Sequence, residues 1–145
     1  MRAATEIFAG VIQREPDHPG ALAGLAAAAL QVCAVSPAGW HWRAGLRRAL
    51  PLAVAAAQGA PADPEICAVE AEIRAALGEL EVARSLVSRL PPDHWRACLV
   101  RAVLYEASGD PLRGESALNA AIELGPPPVR PRLRERRAAL AALWR

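Results

Sequence analysis

Helix-breaking residues recur along this chain at intervals of one to two dozen residues, and that spacing limits its possible folds. Thirteen prolines and ten glycines cluster at Pro16-Asp17-His18-Pro19, Ser36-Pro37, Gly59 to Pro64, Pro91-Pro92-Asp93, Asp110-Pro111 and Gly125 to Pro128, with single glycines at Gly78 and Gly109. Between breaks, apolar residues return at spacings of three and four, the period of a helix with one face buried. Ala4, Ile7, Phe8 and Val11 form one such stripe, Leu22, Leu25, Ala26 and Ala29 a second, and Leu80, Ala83, Val87 and Leu90 a third. No segment alternates β-branched and polar residues as a half-buried strand does. The chain is therefore read as all-α, with about seven or eight helices in a single domain over residues 1–145.

Local chemistry places the helix ends. Asp63 is set to cap a helix that Pro64 opens, and Asp110-Pro111 repeats the arrangement. Gly78 and Gly109 are the expected stops of the preceding helices. Pro51 lies inside an otherwise helical pattern from Ala38 to Gln58, where it removes a backbone donor, so a kink or two short helices are expected there.

An internal repeat accompanies these breaks. Pro16-Asp17-His18 returns as Pro92-Asp93-His94, Ala21, Ala26 and Ala29 align with Ala97, Ala102 and Tyr105, and Gly78 with Ala83 returns as Gly109 with Gly114. These residues resemble the tetratricopeptide repeat. Residues 95–128 match best, with Ala102 at the small first-helix position, Tyr105 at the aromatic, Gly114 and Ala121 at small second-helix positions, Leu118 at the large apolar and Pro126 at the closing proline. Cys98 and Arg101 stand where that pattern has Trp and Leu. Residues 64–94 form a second unit through Ala71, Gly78, Ala83, Val87 and Leu90, with Arg74 replacing the aromatic. Residues 2–16 supply a half-unit, 18–61 a long irregular unit, and 130–145 a terminal capping helix.

The resemblance implies a right-handed stack of antiparallel helix pairs, a tetratricopeptide-like α-solenoid, acting as a protein-interaction scaffold. Its partner would lie in the groove made by the first helices. In the repeat frame the exposed groove positions are Arg96, Leu99, Val103 and Glu106 in the best unit and Glu65, Ala68, Glu72 and Ala75 in the unit before it. This small-sided, mildly acidic surface suits an apolar segment carrying basic residues. The specialised form of the family that clamps acidic chaperone tails uses Lys and Asn, whereas this chain has no Lys and one Asn, Asn119.

Several other chemistries find little support. No Gly-rich phosphate loop, metal-helix motif or nucleophile elbow is present, so no enzyme activity, cofactor or metal is expected. His18 and His94 occupy equivalent turns, which points to a shared structural role. The carboxylates Glu65, Glu70, Glu72, Glu79 and Glu81 read as a solvated helix face. Cys33, Cys67 and Cys98 are widely spaced, without ligand or redox spacing, and fit a reducing cytoplasm.

A net charge of +2 gives no general preference for nucleic acid or anionic membrane. All seventeen basic residues are Arg, as a high-GC coding bias would produce. The longest near-apolar run, Gly20 to Leu30, is too short to cross a bilayer, which takes roughly 20 residues.

Three features remain as candidate contacts. Trp40-His41-Trp42 is an aromatic cluster in which Trp40 and Trp42 point to different faces of a helix, leaving one ring available to a partner. The Arg-rich terminal helix carries Arg130, Arg132, Arg134, Arg136, Arg137 and Arg145 around a seam of Leu133, Leu140 and Trp144. It reads as a solvating cap, with anion or nucleic-acid binding as the alternative function. The N-terminal helix lacks a partner in the repeat frame and is a candidate for homo-oligomer contacts.

Overall fold

The breaks at 15–19, 59–64, 78, 91–93, 109–111 and 125–128 all fall at helix ends or between helices. The computed structural model describes residues 2–35 and 41–143, with the side chains of 3–31 and 43–142. Pro37, Trp40, Trp144 and Arg145, and the side chains of Cys33, His41 and Trp42, lie outside the described residues. Among the described residues, eight α-helices and one 3-10 turn follow in order: α1 (Arg2–Arg14), α2 (Pro19–Val35), α3 (His41–Gly59), α4 (Pro64–Ala76), α5 (Leu80–Val87), α6 (Trp95–Ala107), α7 (Pro111–Leu124), the turn Pro127–Val129, and α8 (Arg130–Leu143). The chain is all-α, and no helix among the described residues is long and apolar enough to cross a membrane.

Capping follows the sequence closely. Asp63 accepts from the amides of Glu65 and Ile66 at the start of α4, and Asp110 accepts from Arg113 at the start of α7. Gly78 and Gly109 both adopt positive φ, 83° and 79°, a conformation that side chains with a Cβ rarely adopt. There the amides of Glu79 and Asp110 reach back to the carbonyls of Arg74 and Tyr105, closing the ends of α4 and α6 alike.

Of the two arrangements expected at Pro51, two short helices do not form, because α3 runs through it as a single helix. Its position explains the tolerance. Pro51 and Arg47, whose carbonyl the missing donor would have met, both face solvent, so water can satisfy that carbonyl.

Each helix packs on the next in sequence, and α2 also packs on α4 and α4 on α6. Gly59 at the end of α3 lies so close to Pro19 at the start of α2 that a Cβ there would sit 2.9 Å from Pro19 Cγ. The core is built from small residues set between larger ones. Ala68, Ala71, Ala83, Ala97 and Val100 join α4, α5 and α6, while Trp95, Leu99, Ala102, Leu118, Ala121, Leu133 and Leu140 join α6, α7 and α8. Burying a leucine of this kind contributes about 1.5–3 kcal/mol. Small alanines allow the helix axes to approach, so the packing residues of the best repeat unit, Ala102, Leu118 and Ala121, are completely buried. At the N-terminal end, α1 packs on α2 with Phe8 against Gly24, and Ile7 stays 65% exposed.

Candidate partner-binding face

Glu65 and Glu72 stand seven residues apart on α4, two turns along one face. From α6, Arg96 reaches between them. Its Nε donates to Glu65 Oε1 at 3.2 Å and its Nη1 to Glu72 Oε2. The Arg96 guanidinium also lies 4.5 Å from the centre of the Trp95 ring, a cation–π contact.

His94 completes this joint. Its Nδ1 accepts from the Arg96 amide at 3.2 Å, capping α6, and its Nε2 lies 2.7 Å from Glu65 Oε2. An accepting Nδ1 places the proton of the neutral ring on Nε2, so His94 donates to Glu65. His18 caps α2 in the same way, its Nδ1 accepting from Ala21 at 3.1 Å. The repeated histidine thus has a repeated local role.

The terminal helix adds two more ion pairs. Arg132 of α8 extends Nη1 to Glu72 Oε1 at 3.5 Å, and Arg136 extends Nη2 to Glu106 Oε2 at 3.2 Å. The other oxygen of Glu106 is buried with no hydrogen-bond partner among the described residues. Leu133 and Leu140 bury themselves against Trp95, Leu99 and Leu118. Packed on α7, α8 thus reaches Glu72 on α4 and Glu106 on α6 through its arginine side chains.

Close packing among α4, α5 and α6 and the contacts made by α8 side chains correct the expected exposure of the groove positions. Glu72, Leu99, Ala68 and Ala75 are buried, Arg96, Val103 and Glu106 are half-buried, and only Glu65 is exposed. Glu72 sits 7% exposed among arginines, and Leu99 belongs to the α6–α7–α8 core. Ala68 and Ala75 are consumed in the contact between α4, α5 and α6.

The acidic patch is likewise more structural than a solvated face. Glu70 is also buried, and it accepts from Arg74, which bridges on to Glu79, each at 3.0 Å. Burial alone would lower the Arg74 pKa, but hydrogen bonds and charges from Glu70 and Glu79 outweigh it and raise the value. The terminal arginines also turn inward more than a solvating cap would. Arg130 donates to the Gly125 carbonyl at 3.0 Å and Arg137 to Asn119 at 2.8 Å, while Arg134 remains exposed.

One repeated contact went unread in the sequence. The Cys67 thiol donates to the carbonyls of Ala60 and Pro61 at 3.7 and 3.6 Å, and the Cys98 thiol to Pro92 at 3.5 Å. Cys67 and Cys98 lie 31 residues apart, as do Pro61 and Pro92, and Gly78 and Gly109. That shared interval was the available signal. Burial raises the pKa of both thiols, with Asp63 and Glu70 adding to the effect at Cys67. At Cys98, Arg101 pulls the value down and Asp93 up. Arg101, which replaces the expected Leu, donates to the carbonyls of Pro92 and Val87 and ties the α5–α6 loop to α6.

A groove of about 510 Å³ opens elsewhere, between the end of α3, the turn before α4 and the end of α5, with Pro61, Cys67, Glu70, Leu86 and Arg89 in its walls. None of the groove positions expected from the repeat frame lines it.

No protein-family model, curated protein or solved structure matches the chain.

Proposed function

We propose that this chain is a protein-interaction scaffold built as a stack of tetratricopeptide-like helix pairs, α2/α3, α4/α5 and α6/α7, with a partner segment bound on the α4–α6 face. Neighbour-by-neighbour packing, the extra α2–α4 and α4–α6 contacts, and the matching ends of α4 and α6 support the stack. The reading of the face rests on one observation. Two arginines of a basic, leucine-bearing helix of the chain itself, α8, reach Glu72 and Glu106 on this face.

A binding role also agrees with how the titratable side chains are used. His94 commits both ring nitrogens to a cap and a hydrogen bond to Glu65, and Glu72 meets two arginines. Groups engaged in this way are poorly placed to exchange protons with a substrate. The inward contacts of Arg130, Arg132, Arg136 and Arg137 weigh against nucleic acid as the ligand, since phosphate binding would compete with bonds already made. We place the protein in a reducing cytoplasm, which suits the free thiols Cys67 and Cys98.

Affinity capture from the producing cells with three baits tests the reading: the parent chain, Val103→Glu on the α4–α6 face, and Leu112→Glu on the exposed start of α7. Val103 is half-buried where Leu99 is fully buried, and unchanged helicity and melting of the Val103→Glu bait are confirmed before capture. A protein captured by the parent and by Leu112→Glu but lost with Val103→Glu is the expected result. Retention by Val103→Glu would move the site off this face.

A further inference from the structure

We propose that α8 is an internal occupant of the partner site, and that the true partner is a helix with the same pattern, a leucine with one arginine just before it and another three residues after, which displaces α8. This rests on the reading of the α4–α6 face as the partner surface. In α8 the pattern is Arg132-Leu133-Arg134-Glu135-Arg136. Arg132 and Arg136 fall one turn apart and engage Glu72 and Glu106, while Leu133 is 1% exposed beneath them. The face therefore reads two positive charges and one apolar anchor on a helix, which is the chemistry of a basic amphipathic segment.

The fit of α8 is incomplete in a way that favours exchange. Arg136 engages only Oε2 of Glu106, and Oε1 stays buried without a partner. A guanidinium approaching freely could take both oxygens in the bidentate geometry that carboxylates favour. The Arg132–Glu72 pair, at 3.5 Å, is long. Among the described side chains of α8, only Leu133 and Leu140 are buried. A helix with so few buried anchors opens locally at lower cost than α6, which buries seven residues. A partner with a better-matched pair of arginines therefore gains what α8 leaves unused, and α8 sets a threshold that weaker basic helices do not pass.

The probe is a fluorescein-labelled peptide of residues 130–143, titrated by anisotropy against the parent chain and against a Leu133→Ser/Leu140→Ser variant whose own α8 no longer seats. Binding to the variant should be at least about tenfold tighter than to the parent, because the competing internal segment is gone. Adding Glu106→Gln should weaken it. Hydrogen exchange on the unaltered parent gives a readout that needs no mutation, with α8 amides expected to exchange at least about tenfold faster than those of α6. Equal peptide binding by parent and by a variant of normal helicity would overturn the proposal. So would α8 amides exchanging in step with α6, and if the natural partner were still lost with Val103→Glu, the reading of the face would survive. Peptide binding to the variant that Glu106→Gln leaves unchanged would place the seat elsewhere and overturn both.

Discussion

Glu65 and His94 meet across α4 and α6 with Oε2 and Nε2 2.7 Å apart, while the other nitrogen of the same ring caps α6. One imidazole thus performs two jobs that are separable by mutation. His94→Ala should lower stability by about 1–2 kcal/mol through loss of the cap and the bridge. His94→Asn, which can still cap, should recover about half of that. His18→Ala, which removes the related cap on α2, should cost about 1 kcal/mol. Urea unfolding of the three variants checks the order.

Glu72 and Glu65 both accept from Arg96, yet they differ in burial. The Glu72 side chain is 9% exposed and that of Glu65 54%. Glu72→Gln leaves Arg96 and Arg132 without their shared charge inside the fold and should cost about 3 kcal/mol. Glu65→Gln acts on a water-screened pair and should cost less than about 1 kcal/mol. Denaturant melts of the two variants should separate clearly, and equal losses would contradict the assigned burial.

Two helical glycines should respond to alanine with opposite signs. A Cβ at Gly114 would meet its nearest neighbour, Glu106 Cγ, at an ordinary 3.5 Å. Gly114→Ala should therefore stabilise α7 by about 0.5–1 kcal/mol. At Gly24 the added carbon would fall 2.5 Å from the Phe8 ring. Gly24→Ala should push α1 off α2 and destabilise by about 1–3 kcal/mol. Thermal melts with circular dichroism detection measure both.

The raised pKa values of Cys67 and Cys98 have a defined pH consequence. A folded state that holds a thiol proton more tightly than the unfolded chain keeps its full contribution below the unfolded thiol pKa. That contribution is lost as pH rises through the folded value. Stability should be indifferent to these groups at neutral pH and should fall above roughly pH 8.5, the ordinary thiol value. Cys67→Ala/Cys98→Ala should flatten that alkaline fall. Iodoacetamide should also label the folded chain more slowly than a free thiol at pH 8, which mass spectrometry checks.

Helix boundaries were legible because proline, glycine and capping carboxylates act locally. Asp63, Asp110, Gly78 and Gly109 do what their chemistry demands wherever the helices pack. The repeated role of His18 and His94 was legible for the same reason. Exposure on the α4–α6 face was not. The repeat frame groups Arg96, Leu99, Val103 and Glu106, but burial of Leu99 and Glu72 depends on where α8 lies, a contact between distant segments that periodicity does not encode. At Pro51 the pattern left open one helix or two, and the continuous α3 carries the proline on its solvent-exposed side, as it does Arg47. The spacing of Cys67 and Cys98 carries no ligand or redox motif, yet their 31-residue interval matches that of Gly78 and Gly109 and marks the repeated thiol contact.

The central claim is that a partner docks on the α4–α6 face, and site-specific photo-crosslinking in the producing cells tests it most directly. A photoreactive amino acid is placed at position 103, beside the face, and in a separate chain at position 112, on the exposed start of α7. The account predicts one recurrent crosslinked protein from position 103, with the attached residues in a helix bearing arginines around a leucine, and none from position 112. A recurrent crosslink from position 112 with nothing from position 103 would contradict it.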